Sequence, residues 1–380
     1  MISKPKKTIY FVATVEFAVN SFLKLHLLQL SKSYDVTVLV NTLDPYFLQK
    51  QLLNVRVIPV KIERNINIVS DLKILFLLIF LFLRNKPASV QSITPKAGLL
   101  AMTAGYIARV PLKIHTFTGQ VWVTKTGIFR FVLKKFDTII AFFSDYAIVD
   151  SPSQSKFLAK EKVLPLNKSI VFGSGSVSGV DLKKFRPSKK AYADVRKELS
   201  IPKDAFVFIY LGRLNPDKGV LDLANAFSRI NDDKAYLLVV GPDEGDFGQQ
   251  IRSLSNLNLG RLRVVGFSSE PHRYLAASNA LCLPSYREGF GSVIIEAAAM
   301  GIPTIGSDIY GILDAVQNQK TGLLHPPKNP DQLLKCMELF LSNPDLVNEY
   351  GGAARDRAAK EFDANILTEY WLNFYRTHVR

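Results

Sequence analysis

Two short stretches concentrate residue types that handle phosphate and hydroxyl groups. Leu211-Gly-Arg-Leu-Asn-Pro-Asp-Lys-Gly219 follows an unbroken apolar run, Ala205–Leu211, and precedes a helical pattern. Gly212 permits a tight turn. Arg213 and Lys218 set two cations beside a helix N-terminus, a combination suited to a diphosphate. The same residues also suit an ordinary strand–turn–helix joint with two surface cations. The Walker spacing is absent, so this is not a P-loop. The second stretch is Ser285-Tyr-Arg-Glu-Gly-Phe-Gly-Ser-Val-Ile-Ile-Glu-Ala297, in which seven residues separate Glu288 from Glu296. Gly289 and Gly291 should expose backbone amides at the start of the helix that carries Glu296. Such amides donate to sugar or phosphate oxygens, and the paired carboxylates accept from hydroxyls.

These residues need elements to position them. In the first half, Ile9–Ala13, Val36–Val40, Val55–Val60, Lys113–Phe117 and Tyr146–Val149 read as strands, alternating with helical stretches. After a Gly- and Ser-rich connection at residues 171–190, the alternation resumes with Ala205–Leu211, Tyr236–Val240, Leu262–Val265, Ala280–Leu283 and Pro303–Ile305. The pattern predicts an α/β protein with two doubly wound, Rossmann-like domains facing each other across a cleft. The expected boundaries are 1–185, 186–362 and a C-terminal helix, 363–380, that packs back on the first domain. His115 is read as ending a strand before Gly119, which would bring it to the cleft.

Charge is uneven. The chain of 380 residues carries a net charge of +15, and residues 1–180 hold 23 Lys and Arg against 9 Asp and Glu, a net of +14. Nucleic acid, an anionic membrane surface and an acidic soluble substrate are the candidate partners of such an excess. The cations are scattered and no nucleic-acid-binding motif accompanies them, so no nucleic-acid partner is expected. Ile74–Leu83 is a run of ten apolar residues between Lys73 and Arg84. It is too short to span a bilayer, which takes about 17 residues or more. It reads either as a buried core helix or as a helix in the membrane interface with Arg84 and Lys86 on lipid phosphates. The basic lead-in Met1–Lys7 runs straight into a short β-rich segment and reads as no signal peptide. Two cysteines without a CxxC predict neither a disulfide framework nor a zinc site.

Taken together, the motifs resemble the retaining glycosyltransferases of family 4, whose arrangement is GT-B. Gly212-Arg213 with Lys218-Gly219 resembles that family's diphosphate clamp. Glu288 to Glu296 matches its E-x7-E signature, and Gly301-Ile-Pro303 and Thr321–Leu324 match the blocks that follow. Ser178-Gly-Val-Asp181 with Phe185 and Pro187 is similar to the block that closes the first domain, with Ser178 in place of Asn.

The resemblance implies roles. Arg213 and Lys218 neutralise the donor's diphosphate as it leaves, Glu288 holds sugar hydroxyls and Glu296 the ribose. Amides of Gly289, Phe290 and Gly291 face sugar and phosphate, Phe267 lies along the base, and His115 lies near the donor sugar. The Thr14–Ala18 loop departs from the family in lacking its usual glycines, and Glu16 there is read instead as an acceptor contact; Thr94-Pro-Lys-Ala-Gly98 resembles a loop of members that act on polyprenyl-diphosphate-linked sugars, with Lys96 as the acceptor-phosphate contact. No cofactor is expected, and no metal, because Asp-x-Asp is absent. The expected partners are a nucleotide-diphosphate sugar, in particular a UDP-sugar, a lipid-linked saccharide acceptor and an anionic membrane surface. The expected place is the inner face of the cytoplasmic membrane. A sugar-nucleotide 2-epimerase and a non-catalytic sugar-nucleotide-binding module are the competing readings.

Overall fold

The computed structural model describes residues 6–379 other than 52, 64, 66 and 255, and the backbone alone at 256, 257 and 259. Met1–Pro5, most of the basic lead-in, lie outside the described residues. The chain divides into two units, Met1–Ser178 with Ala364–Arg380, and Gly179–Asp363.

The first unit holds a seven-stranded parallel sheet in the order β3-β2-β1-β4-β5-β6-β7. Its strands are β1 Thr8–Ala13, β2 Asp35–Val40, β3 Arg56–Pro59, β4 Ser89–Ile93, β5 Leu112–Phe117, β6 Tyr146–Val149 and β7 Ser169–Ile170. The second unit holds a six-stranded parallel sheet, β10-β9-β8-β11-β12-β13. It is built from β8 Phe206–Leu211, β9 Ala235–Val240, β10 Leu262–Val265, β11 Ala280–Leu283, β12 Thr304–Ser307 and β13 Gly322–His325. Each sheet is doubly wound. The helices used below are α1 Ile68–Asn85, α2 Pro95–Ile107, α3 Gly127–Phe143, α4 Val220–Ser228, α5 Ser292–Ala299 and α6 Ala364–His378.

Strand β8 shows why these sequences form central strands. Val207, Phe208, Ile209 and Tyr210 are all fully buried, two on each face, because helices cover both sides of a parallel sheet. The expected boundary after residue 185 is corrected to Ser178. The Val180 amide donates to the Phe362 carbonyl at 2.8 Å, and Phe185 packs in the second unit's core. These long-range contacts pull the Gly-Val-Asp segment across.

The chain then returns. Helix α6 buries Leu367, Trp371, Phe374 and Tyr375 against Ile9, Phe11, Val36 and Val38 of the first sheet. Trp371 stacks on His26 with ring centroids 4.5 Å apart, and its Nε1–H donates to the Val177 carbonyl at 3.2 Å. Among the described residues, no helix is long and apolar enough to cross a membrane. Trp371→Ala is expected to cost about 3–5 kcal/mol. Chemical denaturation would read this as a lower midpoint for the first unit.

Candidate functional site

The second sheet's winding reverses between β8 and β11. From β8 the chain moves outward through β9 and β10, and from β11 it moves the other way through β12 and β13. At such a switch point the loops leaving the two strands diverge and open a crevice at their carboxyl ends. The loops here are Gly212–Gly219 and Pro284–Gly291, the two stretches that carry the motifs.

They are braced together. Lys218 Nζ donates to Glu288 Oε1, and the Ser285 hydroxyl donates to the same oxygen at 2.9 Å. Arg287 donates to Asp217 Oδ2 through Nε at 3.2 Å and Nη2 at 3.0 Å. The Tyr286 amide donates to the Asp217 carbonyl at 2.8 Å, and its hydroxyl to Asp222 Oδ2 at 2.7 Å. Gly219 stands at φ +61°, and a Cβ there would lie 2.0 Å from the Pro284 carbonyl oxygen. Only glycine takes this backbone conformation freely and lets the loops approach so closely.

Arg213 is held by a third loop. Its Nη1 donates to Glu244 Oε1 at 2.8 Å and Oε2 at 2.9 Å, and Asn215 Nδ2 donates to Oε2 at 3.0 Å. Glu244 follows β9, and Gly241, the residue just past that strand, sits against Gly212: a Cβ on Gly241 would lie 1.9 Å from the Gly212 carbonyl oxygen. Each cation therefore rests on a carboxylate, and a bound anion would compete with that carboxylate for it.

Helix α5 is preceded by Gly291 at its N-cap, φ +75°, which gives it no side-chain cap. Its first amides are thus free of side-chain acceptors, which suits an anion. Phe290 is buried, its ring 5.3 Å from that of Phe362. That side chain is core, so only its amide is available to a ligand. Glu296, one turn into α5, is half-buried. Burial pushes its pKa up to about 7, opposed by the charge of Lys184. Phe267 projects into solvent beyond β10, 70% exposed.

The first unit treats its predicted residues differently. His115 does not end β5. It is the fourth residue of that six-residue strand, 1% exposed. Its Nδ1 lies 2.8 Å from Ser92 Oγ, its ring is edge-on to Phe117 at 4.5 Å, and a Cβ on Gly98 would lie 2.4 Å from its Cε1. Burial lowers its pKa to about 3 and keeps it neutral. The strand-end reading of His115 is corrected to an interior position in β5, with the ring buried.

Glu16 accepts from the Thr42 hydroxyl. Lys96 is engaged by Asp71 at 2.6 Å and by the Asn65 carbonyl at 2.5 Å, which ties the start of α2 to the start of α1. Thr94, just before α2, has φ +80° and contacts Thr14, so the loops after β1 and β4 meet where the first sheet's winding reverses.

Sequence reasoning gave no role to Asp217, Tyr286, Arg287, Ser285 or Glu244. The usable signal was the cluster of acids just past β9, Asp243-Glu244-Gly245-Asp246, at the same sheet edge as Arg213. Among the described residues, no group of three or more His, Cys, Asp or Glu side chains is placed to hold a metal ion.

The family "Glycosyl transferases group 1" matches residues 192–357, which contain both braced loops. The capsular polysaccharide biosynthesis glycosyltransferase CapM of Staphylococcus aureus is 32% identical over 334 residues, covering 85% of each chain. The chain belongs to the group 1 glycosyltransferases. This glycosyltransferase is also similar to the UDP-Gal:alpha-D-GlcNAc-diphosphoundecaprenol alpha-1,3-galactosyltransferase of Escherichia coli. That relative is 29% identical over 307 residues, covering 79% of this chain and 78% of its own. HepE of Anabaena, solved in complex with UDP, superposes with a TM-score of 0.78 at 18% identity, covering 97% of this chain and 100% of its own. That likeness is one of fold, the GT-B arrangement.

Glu296 gives this glycosyltransferase a pH signature. Its carboxyl ionises near 4.5 when unfolded and near 7 when folded, so folding takes up a proton between those values. Stability is therefore expected to fall as pH rises from about 4.5 to about 7. Glu296→Gln should flatten that decline, so the variant gains on the wild type between pH 5 and pH 8 in urea unfolding.

Proposed function

We propose that the protein is a retaining glycosyltransferase of the family 4 type. In this reading it transfers a hexose or N-acetylhexosamine from a UDP-sugar to a lipid-linked saccharide during polysaccharide assembly. The observation that carries the donor half is the meeting of Arg213, Lys218 and the uncapped N-terminus of α5 at one switch point. Cations and helix amides on converging loops suit a diphosphate, whose charge grows as the sugar leaves.

In this reading the diphosphate takes Arg213 from Glu244 and draws Lys218 away from Glu288. Glu288, still oriented by Ser285, then accepts from sugar hydroxyls. Glu296 accepts from the ribose, and Phe267 lies beside the base. The acceptor hydroxyl attacks from the face the nucleotide leaves, and a leaving phosphate oxygen takes its proton. Charge stabilisation does the catalytic work, without a protein nucleophile.

The UDP preference is supported by the E. coli relative's named donor and by the UDP complex of HepE. The lipid-linked acceptor is supported by that relative's diphosphoundecaprenol substrate, and the role in polysaccharide assembly by CapM's place in capsule synthesis.

Nucleotide release from UDP-, GDP- and ADP-sugars tests the donor. A UDP-sugar should be turned over fastest, and Arg213→Ala and Lys218→Ala should each lower kcat/KM by about 10²–10³-fold. Proton NMR of the glycoside should show the donor's anomeric configuration. Preference for another base would overturn the donor assignment, and an inverted product would overturn retention.

A further inference from the structure

The two cations of the site rest on carboxylates with different prospects. Lys218 donates to Glu288, which in the proposed reading turns to the sugar. Arg213 donates through Nη1 to both oxygens of Glu244, at 2.8 and 2.9 Å. Glu244 sits on a third loop, and nothing in the donor chemistry above gives it a task. It is held firmly all the same. The β8–β9 pairing carries on past the strands as a parallel bridge between Leu214 and Asp243. Across that bridge the Leu214 amide donates to the Pro242 carbonyl at 2.8 Å, and the Glu244 amide donates to the Leu214 carbonyl at 3.0 Å. Asp243 stiffens the turn that follows. Its carboxylate accepts from the amides of Gly248 at 2.8 Å, Phe247 at 2.9 Å and Gly245 at 3.1 Å. These bonds, that of Gly248 first, hold its pKa below the ordinary carboxylate value. Asn215 Nδ2 then fixes the Glu244 side chain, donating to Oε2 at 3.0 Å.

Glu244 is thus anchored independently of Arg213, through its own amide and through Asn215. When a ligand takes the guanidinium, the carboxylate stays beside it as a fixed anion. The pair is also open to water, with side-chain exposures of 45% and 35%, so Arg213 exchanges partners at little cost. The ligand's charge, meanwhile, rises during turnover. A sugar diphosphate carries about two negative charges, and the free nucleoside diphosphate carries about three at neutral pH, because the terminal phosphate's second ionisation lies at about pH 6. Cations that stabilise the departing diphosphate therefore hold the product more tightly than the donor. A fixed carboxylate next to one of those cations offsets that retention.

We propose that Glu244 is a positioning residue for product release: it competes with bound UDP for Arg213 and draws the guanidinium back as the nucleotide departs. This role rests on the diphosphate reading of the site given above. A different use of the same ion pair has the opposite sign. A carboxylate that aimed Arg213 at the ligand would strengthen binding, and its removal would loosen UDP. A competing carboxylate weakens binding, and its removal tightens UDP.

Calorimetric titration of the full chain with UDP reads that sign. Glu244→Gln should bind UDP about three- to fivefold more tightly than the wild type, the size of one solvent-exposed ion pair. Glu244→Ala should act in the same direction, and high salt should narrow the gap by screening the exposed pair. In turnover of a UDP-sugar by Glu244→Gln, the inhibition constant of UDP should fall by more than the donor KM. Its kcat should fall as well, with a burst of first-turnover product. Gln keeps an acceptor for Asn215, so the unfolding midpoint in urea should stay near that of the wild type. UDP bound equally or more weakly by both Glu244 variants overturns the proposal and leaves the donor reading standing. UDP bound as tightly by Arg213→Ala as by the wild type removes the donor reading, and the release role with it.

Discussion

Two loops leave neighbouring strands at the point where the second sheet reverses its winding, and ion pairs between them fix the site. Lys218 with Glu288 and Arg287 with Asp217 cross from one loop to the other. Both pairs are largely shielded from solvent, with side-chain exposures between 12% and 22%. Removing one member of a shielded pair strands its partner's charge, a change on the order of 3–5 kcal/mol when burial is complete. The Arg213–Glu244 pair differs. Its side chains are 45% and 35% exposed, and such pairs contribute about 0–1 kcal/mol. The Arg287–Asp217 pair thus keeps the loops pinned, Lys218 leaves Glu288 only when an anion takes that carboxylate's place, and Arg213 can change partner at little cost. A site that must release one charged ligand and take the next needs this combination.

The two units put similar architecture to different uses. At the first sheet's reversal point the loops after β1 and β4 also converge, but their polar groups are engaged by neighbouring residues of the same unit. Glu16 holds Thr42, Lys96 holds Asp71, and Thr94 keeps a positive φ against Thr14. A β-branched residue in that conformation costs on the order of 1–3 kcal/mol, which the surrounding contacts must offset. The outer helices of the same unit, by contrast, leave Phe76, Phe80, Phe131 and Phe142 exposed.

Much of this was legible in the sequence because each signal was local. The unbroken apolar run before Gly212 marked β8, and the Glu288–Glu296 spacing placed one carboxylate in a loop and the other inside the next helix. What failed was information carried by distant contacts. The Arg213–Glu244 pair spans 31 residues, and nothing near Arg213 announces it. Val180 belongs to the second unit because of Phe362, so a Gly- and Ser-rich stretch that reads as a linker is partly core-anchored. Ile74–Leu83 is apolar at every position, so its periodicity has no phase. Only its neighbours decide that Ile74, Leu78 and Phe82 go inward while Phe76 and Phe80 stay out. His115 was legible as part of the Lys113–Phe117 strand, but the surroundings of its ring are set by Ser92 and Gly98, on other segments of the chain. β13, only four residues long, was legible as a motif but not as a strand.

The most direct test is a crystal structure with UDP bound. The account predicts a phosphate oxygen within about 3 Å of Arg213 and of Lys218, with Arg213 released from Glu244. A diphosphate seated elsewhere, with Arg213 still on Glu244 and Lys218 still on Glu288, would contradict it.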